Sequence, residues 1–116
     1  MVHEEFGQSV ADETMNLQGK RIVVTGGAGF LGSQLVEQLR ASRPADISVP
    51  RSADSDLVDR ESVRRMYQTA RPDIVFHLAA RVGGIGANQR NPARYFHDNF
   101  QMGAHVIEEG RRAGVS

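Results

Sequence analysis

The stretch Arg21-Ile22-Val23-Val24-Thr25-Gly26-Gly27-Ala28-Gly29-Phe30-Leu31-Gly32 decides how the rest of the chain is read. Its first part is a run of apolar, β-branched residues, bounded by Gly19 and Gly26. Such a run forms a strand buried on both faces, as in a parallel sheet. Leu31, Leu35, Val36 and Leu39 then recur at helical spacing, which predicts a helix from about Phe30 to Ala41. Gly27-x-Gly29-x-x-Gly32 therefore sits between a strand and a helix. Glycines there allow a tight turn and let backbone N–H groups approach a pyrophosphate with no Cβ in the way. The helix N-terminus adds unpaired donors and the positive end of its dipole. The alternative is a plain β-α turn whose glycines serve only helix–sheet packing.

Outward from this stretch the pattern repeats. Ala45 to Val49 is a weaker strand, with Ile47 and Val49 as its apolar positions and Pro50 at its end. Arg51 to Ser55 is a polar loop. Asp59 is a good N-cap for a helix whose face carries Val63, Met66, Tyr67 and Ala70, and Pro72 stops it. Asp73 to Ala80 holds a third buried strand, Ile74-Val75-Phe76-His77-Leu78. A glycine-bearing loop, Val82 to Asn91, leads to Asn91 as N-cap and Pro92 at the first position of a long helix. Phe96, Asn99, Phe100, Gly103, Val106, Ile107 and Gly110 line one face of that helix, and Gly114 ends it. Upstream, Met1 to Gly19 is polar with scattered apolar residues and reads as a mobile tail or leader.

The order β-α-β-α-β-α predicts an α/β fold: the N-terminal half of a Rossmann-type doubly wound parallel sheet, over residues 20–116. The strand order expected for this half is 3-2-1, with a fourth strand beside the first. On that expectation Ile22-Val23-Val24 forms an open edge. The last helix then crosses to the opposite face and leaves Phe96, Phe100, Val106 and Ile107 partly exposed, so the chain should be marginally stable and self-associate.

Composition narrows the function classes. The 116 residues include no cysteine, which excludes disulfides, thiolate metal sites and a cysteine nucleophile. Fourteen basic residues balance 14 acidic ones, so no general electrostatic case exists for binding nucleic acid. Apolar runs are too short for a membrane span. Met1 to Asn16 carries Glu4, Glu5, Asp12 and Glu13 and is not a signal peptide, so a reducing cytoplasm is the default compartment. His97 and His105 lie eight apart and His3 is in the tail, so no metal site is expected. His77, in a buried strand, reads as a neutral core histidine.

Thr25-Gly26-Gly27-Ala28-Gly29-Phe30-Leu31-Gly32 resembles the TGGxGFxG signature of the extended short-chain dehydrogenase/reductases, which include nucleotide-sugar epimerases and dehydratases. Asp56-Leu57-Val58-Asp59 resembles the DLxD segment that approaches the adenine ring. His77-Leu78-Ala79-Ala80 resembles the HxAA end of the third strand, which borders the cofactor's ribose and phosphates. Asn99 and Gly103 resemble the N-x-x-x-G start of the next helix. The stretch from Val82 to Ala93 is similar to the VGGI-x-AN-x-x-x-PA stretch of the GDP-L-fucose synthases, also described as GDP-4-keto-6-deoxy-mannose epimerase/reductases. The resemblance implies an NADP(H)-dependent enzyme with a GDP-sugar substrate, a homodimer at full length. It implies cofactor contacts at Gly26, Gly27, Ala28, Gly29, Phe30, Leu31, Gly32, Asp56, Leu57, Leu78, Ala79, Ala80 and Asn99.

Cofactor type turns on the end of the second strand. An NAD site places an acidic residue there, about 20 residues past the glycine loop, to hold the ribose 2′-hydroxyl. This chain has Arg51 at that end, whose guanidinium suits a 2′-phosphate, so NADP is favoured over NAD. Asp46 comes too early in the strand. The alternative has Arg51 solvated and Asp54 or Asp56 turned to the ribose. The resemblance also implies a catalytic Ser and a Tyr-x-x-x-Lys pair. Neither Tyr67 nor Tyr95 has a lysine four residues on, and Lys20 is the only lysine. The expectation is a fragment, inactive alone, that carries the first mononucleotide-binding half.

Overall fold

The computed structural model describes residues 16–51, 55–80 and 92–115. Its elements follow the expected order: β1 (Arg21–Thr25), α1 (Phe30–Arg40), β2 (Asp46–Ser48), α2 (Arg60–Ala70), β3 (Ile74–His77) and α3 (Pro92–Arg112). The expectations for residues 1–15, 52–54 and 81–91, among them the loop from Val82 and the Asn91 cap, lie outside the described residues.

The three strands form one parallel sheet in the order β2-β1-β3. Ile22 is opposite Ile47 on one side and Ile74 on the other, and Thr25 pairs with His77. This corrects the expected 3-2-1 order: β1 is the middle strand, not an open edge. The physical reason is in the strands themselves. Ile22, Val23 and Val24 are each no more than 1% exposed, and both their faces are covered. Full burial of such a side chain contributes roughly 1.5–3 kcal/mol, so the most apolar strand gains most from the centre. β2 is three residues with an exposed Asp46, and suits an edge.

Right-handed crossovers explain the layers. The step from β1 to β2 runs one way along the sheet, and the step from β2 to β3 runs back past β1. Reversing direction moves the helix to the other face. Accordingly Ile22 and Val24 pack with Val36 and Leu39 of α1, whereas Val23 packs with Val63, Met66, Tyr67 and Ala70 of α2.

α3 departs from expectation. It shares the face of α2, with Met102 and Val106 in the cluster around Val23, Val63 and Tyr67. Val106, expected to be partly exposed, is buried, while Phe96, Phe100 and Ile107 are 72%, 67% and 75% exposed. Tyr67 Oη donates to the Val106 carbonyl at 2.7 Å, and Glu109, 2% exposed, pairs with Arg60 at 2.9 Å. A Cβ on Gly110 would come within 2.8 Å of the Tyr67 oxygen, so glycine permits this approach.

Local signals act as expected at the ends of α2 and α3. Asp59 accepts from the Glu61 N–H at 3.2 Å and from Ser62 Oγ at 2.9 Å, capping α2. Arg71, with φ of 45°, closes that helix just before Pro72. Gly114, with φ of +89°, donates to Arg111 O while Val115 donates to Gly110 O, which terminates α3 in a Schellman turn. At the other end of the chain, Leu17 is 1% exposed and packs with Ile22, Val24, Val36 and Leu39. The packed region thus begins before Lys20, inside the stretch read as a tail.

Candidate functional site

The strand order reverses between β1 and β3, and the helices that follow them, α1 and α3, pack on opposite faces. Open α/β sheets place ligands in the crevice outside such ends. A crevice of about 530 Å³ opens there. The glycine loop contributes Gly26, Ala28 and Gly29, the exit of β2 contributes Pro50 and Arg51, and the approach to α2 contributes Ser55, Asp56 and Leu57. Leu78, Ala79 and Ala80 after β3 form the opposing wall, and Met102 of α3 completes the lining.

The four glycines of the loop do different work. Gly26 has φ of +73°, and a Cβ on it would lie 2.7 Å from the Ala79 nitrogen. A Cβ on Gly27 would lie 2.8 Å from the Val49 side chain, and one on Gly32 would run into the Gly26 carbonyl. Packing within the chain therefore accounts for all three. Gly29 differs: it is exposed, its φ is −76°, and a Cβ would meet only the Gly26 oxygen, at 3.3 Å. It faces the crevice and is the N-cap of α1, with no side-chain cap and no acidic residue in the first turn. The helix start is thus an electropositive patch of backbone donors.

Two hydrogen-bonded anchors hold the crevice walls. Thr25 Oγ1, fully buried, lies 2.6 Å from His77 Nδ1 and accepts from the Leu78 and Ala79 N–H groups at 3.0 and 3.1 Å. Burial moves the His77 imidazole below the ordinary histidine pKa. On the other wall, Asp56 Oδ1 accepts from the Val58 N–H at 3.1 Å, and His105 Nδ1 reaches the Leu57 carbonyl at 3.0 Å. His105 thus ties α3 to the segment lining the crevice.

Most residues singled out from the sequence meet here, but not all. Gly26, Ala28, Gly29, Arg51, Asp56, Leu57, Leu78, Ala79 and Ala80 are lining residues. Gly27 and Gly32 are buried behind the loop, and Phe30 and Leu31 are exposed on α1. Asn99 is half-buried on α3, outside the lining. Arg51 is exposed at the mouth, and Asp54 lies outside the described residues. Pro50, Ser55 and Met102 were not anticipated. A signal for Met102 existed in its spacing to Val106, but the buried Glu109 interrupts the apolar pattern of that face.

A second cleft, about 650 Å³, lies between the C-terminal parts of α2 and α3, beside Arg64, Tyr67, Arg71, Asp73, Glu109 and Arg112. It has neither a glycine loop nor a helix N-terminus. Tyr67 serves packing there, and burial, then the charge of Glu109, pushes its hydroxyl above the usual tyrosine pKa. Among the described residues no three His, Cys, Asp or Glu side chains are grouped to hold a metal ion. Among them, too, no helix is long and apolar enough to cross a membrane.

Residues 22–116 match the sequence profile of the NAD dependent epimerase/dehydratase family. The chain belongs to that family. It is 39% identical over 99 residues to a GDP-L-fucose synthase of Sinorhizobium fredii, covering 85% of this chain and 31% of that protein. It is 34% identical over 90 residues to a GDP-L-fucose synthase of Dictyostelium discoideum, covering 76% of this chain and 28% of the relative. The chain thus spans less than a third of the length of either relative. The fold is similar to a GDP-mannoheptose C4 reductase from Campylobacter jejuni with NADP bound (TM-score 0.76, 25% identity, 84% of this chain and 31% of that one). It is also similar to a GDP-L-fucose synthetase from Naegleria fowleri bound to NADP (TM-score 0.70, 29% identity, 84% of this chain and 30% of that one). The fold is a Rossmann-type parallel sheet.

Proposed function

We propose that this chain forms the adenosine-pyrophosphate half of an NADP(H) site in a GDP-sugar epimerase/reductase of the GDP-L-fucose synthase type. The observation that carries this reading is Gly29. Packing within the chain explains glycine at 26, 27 and 32, whereas a Cβ at 29 would meet a single close neighbour, the Gly26 oxygen at 3.3 Å, and Gly29 lines the crevice. An absent Cβ at an uncapped helix start suits a pyrophosphate that must approach the backbone closely. The names of the relatives support the GDP-sugar, and NADP in two similar structures supports the cofactor.

In this reading the backbone of Gly26 to Gly32 cradles the pyrophosphate, with Phe30 and Leu31 contributing N–H groups rather than side chains. Asp56 and Leu57 border the adenine. Leu78, Ala79 and Ala80 wall the ribose and phosphates, and Asn99 stands behind them. Arg51 at the mouth pairs with the 2′-phosphate by charge and fork geometry. The bound dinucleotide would supply hydride to a sugar ketone. The residues here bind and orient it, and neither tyrosine has a lysine four residues on for proton transfer. The 116-residue chain alone is therefore inactive, and in the cell it belongs to a cytoplasmic enzyme that is a homodimer at full length.

Titration calorimetry with NADP and NAD tests the reading. Weak binding of NADP by the chain, stronger than that of NAD, is expected. No binding of either at millimolar nucleotide refutes it. Oxidation of NADPH above background with GDP-4-keto-6-deoxy-mannose would refute the claim of inactivity.

A further inference from the structure

Thr25 ends β1 with a hydroxyl that is fully buried and has three neighbours. These are His77 Nδ1 at 2.6 Å, the Leu78 N–H at 3.0 Å and the Ala79 N–H at 3.1 Å. A hydroxyl has one proton to donate and two lone pairs. The two amides can only donate, so they occupy both lone pairs. The single O–H must then point at His77 Nδ1, which must be bare. That defines His77 as neutral, with its proton on Nε2. A proton added at Nδ1 would face a hydroxyl with no lone pair left, so one of the amide bonds would have to give. The Leu78 N–H also donates to the Thr25 carbonyl at 3.0 Å, so the Ala79 bond is the one whose loss would free the wall.

The amides in question belong to the crevice wall. The Ala79 nitrogen occupies the space a Gly26 Cβ would need, so the same peptide sets the gap to the glycine loop. We infer that Thr25 and His77 are positioning residues: a latch with a single allowed proton arrangement that holds the β3 exit against the glycine loop, and that loosens when His77 takes up a proton. This rests on the dinucleotide reading of the crevice.

On α3, Asp98 lies 3.7 Å from His97, and among the described residues no carboxylate lies within ion-pair distance of the His77 imidazole. On β1 its neighbour is Thr25. On α2 and α3, which pack on this face, Tyr67 is bonded to Val106, Glu109 to Arg60 and His105 to Leu57. The charged residues of α1, Glu37 and Arg40, are exposed on a helix that covers the other face. Burial alone lowers the His77 pKa, with no carboxylate opposing it. The sign follows: the stability the neutral latch adds is fully present above the unfolded histidine pKa of about 6.5 and is lost as pH falls from there through the lower pKa of the folded protein.

Nitrogen-15 NMR of the chain reads the tautomer directly, and hydrogen exchange of the Ala79 amide reads the latch. Expected are an Nε2-protonated ring at pH 8 and Ala79 protection that falls as His77 titrates. A proton on Nδ1 at pH 8, or Ala79 exchange indifferent to that titration, overturns the inference. Calorimetry with NADP adds Thr25→Ser and Thr25→Val. The serine should keep wild-type affinity and its weakening at low pH. The valine should lose about tenfold or more and flatten that pH profile. Wild-type affinity and pH profile in a folded valine variant refute the positioning role. If the valine variant does not fold, serine losing the pH profile refutes it instead. Should wild type bind no nucleotide, the crevice reading falls, while the latch stands or falls on the NMR.

Discussion

Gly29→Val separates a glycine kept for a ligand from glycines kept for the fold. Gly29 has φ of −76° and ψ of 179°, a conformation that a branched residue adopts without strain. Its Cβ would approach only the Gly26 oxygen, at 3.3 Å, a close contact that the loop relieves by moving a few tenths of an ångström. The cost to stability is then mainly that of a poorer helix N-cap, about 1 kcal/mol or less, or a drop in Tm of roughly 4–8 °C for a chain of this size. The cost to binding is larger. Valine methyls would bar the pyrophosphate from the backbone donors, and two lost charge-assisted bonds at about 1.5 kcal/mol each weaken NADP on the order of a hundredfold. Gly32→Ala is the contrasting control, because its Cβ would strike the Gly26 carbonyl and should unfold the loop and α1. Calorimetry on folded Gly29→Val, with its melting curve recorded alongside, decides the matter. Wild-type NADP affinity in that protein refutes a backbone-cradled pyrophosphate at this loop.

Arg51→Ala should weaken NADP by roughly tenfold and leave NAD nearly unchanged, because only NADP has a 2′-phosphate to lose; equal losses in parallel titrations would move the ribose contact elsewhere. Gly110→Ala should destabilise by about 1–3 kcal/mol, since its Cβ would lie 2.8 Å from Tyr67 Oη. Adding Tyr67→Phe should recover part of that loss, and strictly additive denaturation midpoints would show that the two sites do not touch. The chain should sediment as more than a monomer at micromolar concentration through exposed Phe96, Phe100 and Ile107, and Phe100→Ser should shift it toward monomer; a compact wild-type monomer contradicts this.

The parts of the fold written in short-range signals were legible in the sequence. Ile22-Val23-Val24 declared a doubly covered strand, Asp59 declared the start of α2, and Gly114 declared the end of α3. Strand order was only half legible: the apolar run Ile22-Val23-Val24 favours the centre for β1, but which side of it the chain returns to is encoded in no local residue. The buried side of α3 was misjudged for a related reason. Phe96, Phe100 and Ile107 are the larger apolar residues, yet Met102, Val106 and a paired Glu109 face the core. Leu17 escaped notice because its burial comes from β1 and α1 rather than from its own neighbours in sequence. At the site, the lining residues carried by the glycine loop and the β3 exit were identified, while Met102 depended on the placement of α3.

That unanticipated placement of α3 is also what completes the crevice. With the strands in the order β2-β1-β3, the steps from β1 and from β2 run in opposite directions, so α1 and α2 take opposite faces. The gap beyond the ends of β1 and β3 would then be open to water on the α2 side. α3 closes it, because it packs on the face that α2 already covers. From there Met102 reaches the lining, and His105 holds the Leu57 carbonyl. Two consequences follow for any ligand in the gap. On the proposed dinucleotide reading, its adenine end would rest on Leu57 and Met102, a surface made by tertiary packing, and its phosphate end would meet the α1 N-terminus, a surface made by the local glycine sequence. A substitution that loosens α3, such as Gly110→Ala, should therefore weaken an adenosine fragment more than it weakens pyrophosphate, and Gly29→Val should do the reverse. Equal effects of both variants on both fragments would mean that the crevice does not divide in this way.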